Sequence, residues 1–257
     1  MNNFLANIGR VILSFLFETG KLSIFCFNAL SGIFHRPFYL KAVLKQMLEI
    51  GYYSLPVVGL TAIFTGAVLA LQSYTGFSRF SAESAIATVV VLSITRELGP
   101  VLAGLMVAGR VGASMAAEIG TMRITEQVDA LITLSTNPIK YLVTPRILAA
   151  VVMLPCLVVI ADIIGVMGGY FISVYTLGFS PDLYLQNTFQ YLEIDDITSG
   201  LIKSGVFGFI ISIIGCYNGF YSNKGAQGVG NATTNAVVVA SILILLSNYL
   251  LTKVFFS

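Results

Sequence analysis

Thr95-Arg96-Glu97-Leu98-Gly99-Pro100 opens a stretch that runs on through Arg110, Glu118, Arg123, Glu126 and Asp129 to Thr144-Pro145-Arg146. Ionisable residues recur along it, inside a chain that is otherwise close to charge-free over long distances. Charges in hydrocarbon are costly enough to be rare, and they face a bundle interior or a water-filled path rather than lipid. This stretch is therefore read as the working part of an integral membrane protein.

The composition agrees. Hydrophobic residues make up 56% of the 257 residues, charged residues only 10%, and mean hydropathy is +0.88. Such values lie well outside soluble globular usage. Nearly charge-free runs occur at Ile50 to Ser78, Ser84 to Ala117 (broken by Arg96, Glu97 and Arg110), Ile147 to Pro181 (broken by Asp162), Ser204 to Asn223 and Gly225 to Thr252. Each reaches the ~20 residues that a helix needs to cross a bilayer. The expected fold is all-α and integral to the membrane, with five transmembrane helices in one domain over 1–257.

Lys and Arg counts in the short connections set the expected orientation. With the N-terminus inside, cytoplasmic segments hold Arg10, Lys21, Arg36, Lys41, Lys45, Arg123, Lys140, Arg146 and Lys224, and the opposite side only Arg79, Lys203 and Lys253. The reading is N-terminus cytoplasmic, C-terminus outside. Met1 to Asn7 lacks the basic start of a secretory signal. Val11 to Phe17 and Leu22 to Phe34 are short, interrupted by Glu18, Gly20 and Lys21, and followed by His35, Arg36, Lys41 and Lys45. Residues 1–48 are thus expected to form an amphipathic region with a helix lying in the cytoplasmic interface, and 49–257 the transmembrane region. Cys26, Cys156 and Cys216 read as small hydrophobes in packing. His35, the single histidine, has no partners for a metal site, so none is expected.

Small residues recur every four positions in the second span, at Gly104, Ala108, Gly112, Ala116 and Gly120, with a second row at Gly109, Ala113 and Ala117. Similar rows are Ala161, Gly165, Gly169 and Ser173, and Gly200, Ser204, Gly208 and Ser212. They let helix backbones approach closely. If Glu83 and Ser84 mark the outer boundary, Arg96 and Glu97 lie about 18 Å down, near the middle of a ~30 Å core. Pro100 cannot donate to the carbonyl of Arg96, so a kink is expected there and the freed carbonyl needs a partner. Arg96 and Glu97 point about 100° apart, so either a cavity or a buried ion pair with Asp162 or Lys203 can take them.

After Glu118 the pattern changes. Thr125 can cap a short helix, Glu126 and Gln127 suit its first turn, Asn137-Pro138 ends it, and Val128, Leu131, Ile132 and Leu134 give it an apolar face. That face can rest on the membrane or enter a groove on a soluble partner. No G-x-x-x-x-G-K-[ST] loop occurs, and Gly225-Ala226-Gln227-Gly228-Val229-Gly230 lacks the Lys and the strand context. If ATP drives this protein, another chain binds it.

Thr95 to Ala103, then Ala108-Gly109-Arg110-Val111-Gly112-Ala113, Ala117 to Arg123, Thr125 to Leu131, Asn137-Pro138 and Thr144-Pro145-Arg146 together resemble the MlaE (YrbE-type) permease family, in order and spacing. Weaker similarity covers nearly the whole chain. That family supplies the membrane subunit of bacterial ABC systems moving phospholipid between the inner and outer membranes. The resemblance implies a homodimeric inner-membrane permease without cofactor, partnered by an ABC ATPase, a periplasmic MCE-domain protein, often a small STAS-domain protein, and no nucleic acid. It implies that about Glu118 to Ser135 couples to the ATPase, through Glu118, Arg123, Glu126, Asp129 and Leu131. It further implies a lipid path past Leu69, Tyr74, Glu97 and Leu98, with Arg96 and Lys203 on the same path. The pattern departs at Phe80, where some relatives have Tyr, and at Asn248, where some have Asp. A competing class is an integral-membrane enzyme acting on lipid head groups, with Glu97 and Asp162 as acid and base; it lacks a nucleophile with its base, a metal cluster or a histidine.

Overall fold

The computed structural model describes residues 2–34, 37–80 and 85–256, and every element among them is helical. His35, Arg36, Glu83, Ser84 and the side chain of Phe80 lie outside the described part, so the expectations placed on them are not addressed. Helix α1 is Asn2–Phe34 and α2 is Leu40–Ile50, the latter leading through a single tight turn into α3, Leu55–Phe77. Pro56 sits in the first turn of α3, where its missing N–H has no intrahelical partner to lose.

The second span is one rod from Ile86 to Ile124, built of α4 (Ile86–Ser93), α5 (Gly99–Val107) and α6 (Ala113–Ile124). Five-residue π-helical turns at Ile94–Leu98 and Ala108–Gly112 join them. Both turns carry charge, Arg96 and Glu97 on the first and Arg110 on the second. The short helix α7, Gln127–Thr133, follows, then α8 (Thr144–Phe171), α9 (Pro181–Tyr191), α10 (Ile194–Phe220) and α11 (Ala226–Phe256). Helix α9 was not anticipated from the sequence. It begins with Pro181 after an extended Ser180, and Asp182 lies in its first turn, both favourable to a helix start.

Among the described residues, six helices are long and apolar enough to cross a membrane. The sequence led us to expect five plus an interfacial helix, and the difference is α1, where Glu18, Gly20 and Lys21 do not break the helix. Lys21 and Glu18 form a pair at 3.5 Å one turn apart, and Glu18 accepts a 2.9 Å hydrogen bond from Tyr217. Phe25 is buried against Tyr217, Phe220 and Tyr221 at the end of α10. Further along, Thr144 at the start of α8 donates to the carbonyl of Ala29 at 2.9 Å.

Helices α8 and α10 form the centre: α8 packs between α3 and α10, and α10 between α8, α6 and α11. Glycines sit at several of the helix crossings, and the sharpest backbone approaches lie elsewhere than on the second-span row. A Cβ on Gly112 would meet only Ile211, at 3.5 Å, and one on Gly109 would meet nothing. The glycines of α10 receive that row: a Cβ on Gly215 would lie 3.0 Å from the carbonyl oxygen of Gly112, and one on Gly219 2.7 Å from that of Ala116. Where α3 crosses α8, added Cβ atoms on Gly66 and Gly168 would collide with the Gly165 and Ile63 carbonyls.

Candidate functional site

The π-helical turn at Ile94–Leu98 decides the site geometry. Pro100 has no N–H, so the Arg96 carbonyl loses its helical donor, as anticipated, and Lys203 Nζ of α10 takes that place at 2.9 Å. The same ammonium donates to Glu97 Oε1 at 2.7 Å and to Thr252 Oγ1 of α11 at 2.8 Å. Its three donors are all used, which is what allows a lysine side chain with 0% exposure in the bundle. Glu97 also accepts from Thr252 Oγ1 at 2.8 Å and from Asn248 Nδ2 at 2.9 Å. Asn248, the position of the departure from Asp, therefore supplies a donor to Glu97, and its own Oδ1 is buried without a partner.

Arg96 turns the other way. Its Nε donates to Asp196 Oδ1 at 2.6 Å, and its guanidinium lies 4.7 Å from the ring centre of Phe256. Asp196 is fixed in turn, because its other oxygen accepts the Glu193 N–H at 3.1 Å in a capping box that starts α10. Two ion pairs thus tie the second span to α10, with α11 closing over them. The sequence reading offered Asp162 or Lys203 as ion-pair partners: Lys203 takes Glu97, while Asp162 pairs with neither residue. Asp196 and Thr252 were missed as members; the Glu193-x-x-Asp196 capping spacing was the available signal for the first.

The two members of the cluster adjacent in sequence, Arg96 and Glu97, are equally exposed, and their partners are not. Glu97 keeps 35% of its side chain exposed, as does Arg96, while Lys203 and Asp196 are buried. The site thus presents one carboxylate edge and one guanidinium edge outward from a buried scaffold. Leu69 and Tyr74 are not brought to it within one chain. They pack on the small cluster of Ala70, Ile86, Val90 and Ile94, with Tyr74 edge-on to Phe179 at 5.9 Å. Leu98 faces the α3 and α8 side, lining a gap of about 10 Å³ with Val58, Thr65 and Ala161.

At the other end, Arg110 donates to Ser54 Oγ at 3.1 Å and to the carbonyl of Glu49, so it closes the end of α2. Glu118 pairs with the buried Arg146 at 2.7 Å, and Arg123 with Asp129 at 2.8 Å across the corner between α6 and α7. Thr125 does not cap α7. Its hydroxyl bonds back to the carbonyls of Thr121 and Met122, and Glu126 takes the N-cap position in the left-handed region, φ 58°. The end of α7 is made by Ser135, φ 56°, with Thr136 N–H donating to Leu131 and Ser135 N–H to Ile132. Asn137 then starts the next helical turn, accepting from the N–H groups of Ile139 and Lys140. The expected apolar face of α7 divides: Val128 is buried and Leu131 packs on the core, whereas Ile132 and Leu134 are exposed.

Residues 43–254 match the family described as Permease MlaE. The chain belongs to the MlaE permease family. Across 99% of its length it is 66% identical to a probable ABC transporter permease protein of Rickettsia felis, over 254 residues and 98% of that relative. It is 34% identical over 257 residues, 99% of this chain and 98% of the other, to the intermembrane phospholipid transport system permease protein MlaE of Haemophilus influenzae. A chloroplast relative, TRIGALACTOSYLDIACYLGLYCEROL 1 of Arabidopsis thaliana, is 38% identical over 213 residues, 83% of this chain and 61% of that protein. The protein is thus a multi-pass membrane permease subunit of the transporter class, and the charged cluster lies within the part that matches the MlaE family.

Proposed function

We propose that this MlaE-family chain is the permease of an ABC system that carries phospholipid between the inner and outer membranes, with ATP hydrolysed by a separate subunit. The observation that carries the reading is the half-exposed Glu97 carboxylate, held by Lys203, Asn248 and Thr252 inside an apolar bundle. Such a group suits contact with a polar head group or with the water around it. The name of the Haemophilus relative supplies the cargo class. In this reading Leu69, Tyr74 and Leu98 border the path in the assembled permease rather than in one chain. The acid/base enzyme reading is disfavoured because Glu97 and Asp162 share no hydrogen bond and Glu97 is engaged with Lys203.

The layout that goes with this function has five crossings, a cytoplasmic N-terminus and a periplasmic C-terminus in the bacterial inner membrane. The contacts of α1 support it. Glu18 and Ala29 are about 16 Å apart along the helix, yet they meet Tyr217 at the end of α10 and Thr144 at the start of α8, which fall on one side in this layout. A helix crossing the bilayer would not touch the same side at both points. The apolar face of α11, with Ile242, Leu246, Tyr249 and Leu250 exposed, suits the contact between two copies in a homodimer. An MCE-domain protein outside and a STAS-domain protein inside complete the expected assembly.

Coupling to the ATPase is assigned to the corner from Glu118 to Ser135. Arg123 with Asp129 ties α7 to α6, Glu118 with Arg146 ties α6 to α8, and Ile132 and Leu134 face outward to enter a groove. Ile132→Asp is expected to leave the permease folded and to reduce ATPase co-purification at least tenfold, since an unpaired carboxylate in an apolar groove costs about 2 kcal/mol or more. Leu131→Asp, by contrast, strikes core packing and should lower the melting temperature first. Undiminished co-purification of the Ile132 variant would remove α7 from the interface. The function itself is tested in proteoliposomes holding permease and ATPase. ATP-dependent movement of labelled phospholipid is the expected result, and hydrolysis that moves another solute but no phospholipid would overturn the reading.

A further inference from the structure

The charged cluster on the second span carries no net charge, since Arg96 is matched by Asp196 and Glu97 by Lys203. In each pair the α10 partner is buried and the second-span partner is 35% exposed, so the two outward groups are of opposite sign. Both still have bonding capacity. Arg96 meets Asp196 through Nε, and no other described residue accepts from its terminal nitrogens. Glu97 Oε1 is taken by Lys203 and Thr252, whereas Oε2 accepts from Asn248 alone. The outward surface thus offers a guanidinium fork with donors to spare and a carboxylate oxygen with room for another donor.

The two groups open toward the same end of α11. The guanidinium carbon of Arg96 lies 4.7 Å from the ring centre of Phe256, and Lys203 Nζ, which holds Glu97, lies 5.9 Å from the same ring. Their own Cα atoms are ~3.8 Å apart as chain neighbours. The ionic surroundings tilt acidic: Glu193 and Asp195, both exposed, stand beside Asp196 at the start of α10, against the exposed Lys253 beside Thr252. An anion alone would gain the Arg96 fork but meet Glu97 and these acids besides, at a range over which charges are poorly screened. A ligand with an anion and a cation a short link apart answers both groups. A phosphate takes the fork bidentately, and an ammonium N–H donates to the carboxylate.

On the phospholipid reading given above, on which this rests, we infer that the cluster selects a zwitterionic head group over an anionic one. A phosphatidylethanolamine-type head places its phosphate on Arg96 and its primary ammonium on Glu97, while a phosphatidylglycerol-type head brings the phosphate and no cation. Asn248 belongs to the same device: its amide donates to Glu97 without adding charge, so the cluster stays neutral.

The test loads the full-length permease, in its assembled complex, from micelles holding equal amounts of phosphatidylethanolamine and phosphatidylglycerol with identical acyl chains, and measures the retained lipids by mass spectrometry. The wild-type complex is expected to retain about tenfold more phosphatidylethanolamine, the ratio that one charge-assisted contact supplies. Glu97→Gln with Lys203→Met removes the partner of the ammonium without stranding a buried charge, and should retain less phospholipid with no preference between the two. Equal retention by the wild-type complex, or an excess of phosphatidylglycerol, would overturn the inference and leave the phospholipid reading standing. A folded double variant that kept the wild-type preference would also overturn it, because Glu97 would not be the selecting group. Retention of neither lipid by the wild-type complex would overturn the phospholipid reading, and the inference with it. Should the double variant not fold, the comparison of the two lipids on the wild-type complex decides alone.

Discussion

Lys203→Met is expected to destabilise the folded permease by about 3 kcal/mol, because it removes one partner of a buried pair and leaves the other in place. Three acceptors lose the ammonium at once: Glu97 Oε1, left with Thr252 Oγ1 alone, the Arg96 carbonyl freed by Pro100, and Thr252 Oγ1. The estimate sits at the low end of the range for buried pairs, since Glu97 is 35% exposed and water can reach it. Adding Glu97→Gln should recover most of the loss, for an apolar or neutral pair of similar shape costs little in such a site. Thermal unfolding of the two single variants and the double variant in one detergent measures this. A Lys203→Met protein as heat-stable as the wild type would mean that the ion pair holds nothing together.

Gly66→Val should cost about 4 kcal/mol or more and prevent assembly. Its new Cβ would overlap the carbonyl oxygen of Gly165, so backbone meets backbone and no side chain can swing aside. The neighbouring contact of Gly168 with the Ile63 carbonyl prevents the helices from sliding to relieve it. Gly109→Ala is the control: nothing lies within 4 Å of the added atom, and a helical glycine replaced by alanine gains up to about 1 kcal/mol. Size-exclusion profiles and melting temperatures of the two proteins compare them. If Gly66→Val assembled normally, the crossing of α3 and α8 would have to be looser than described.

Local chemistry was readable from the sequence, and distant partnership was not. Pro100 announced a freed Arg96 carbonyl, because the missing N–H is a property of one residue. Which group would satisfy it depends on α10, more than 100 positions away, and no periodicity links the two. Arg96 shows the same limit: the sequence offered Asp162 or Lys203 for a buried pair, but Asp196 reaches Arg96 because α10 begins ten residues before the apolar run that marked it. The small-residue rows are visible in the sequence, yet which residues make the closest approach is a matter of crossing geometry, and Gly66 and Gly215 are tighter than Gly112. A helix was expected between Thr125 and Asn137, and α7 lies there but is shorter, Gln127–Thr133. Its caps were not anticipated, since Glu126 and Ser135 adopt left-handed backbone where glycine or asparagine is the usual sign.

The measurement that bears most directly on the account is the phospholipid content of the assembled complex carrying Glu97→Gln together with Lys203→Met. Removing both charges spares the fold the cost of an uncompensated ion, so stability and lipid binding separate. The account predicts a complex that melts within about 1 kcal/mol of wild type. In that complex, bound phospholipid by mass spectrometry should fall about tenfold and transport should be lost, as expected when a charge-assisted contact to the head group is removed. A stable double variant with wild-type phospholipid content and wild-type transport would contradict it, because the cluster would then be a structural tie between α10, α11 and the second span and nothing more.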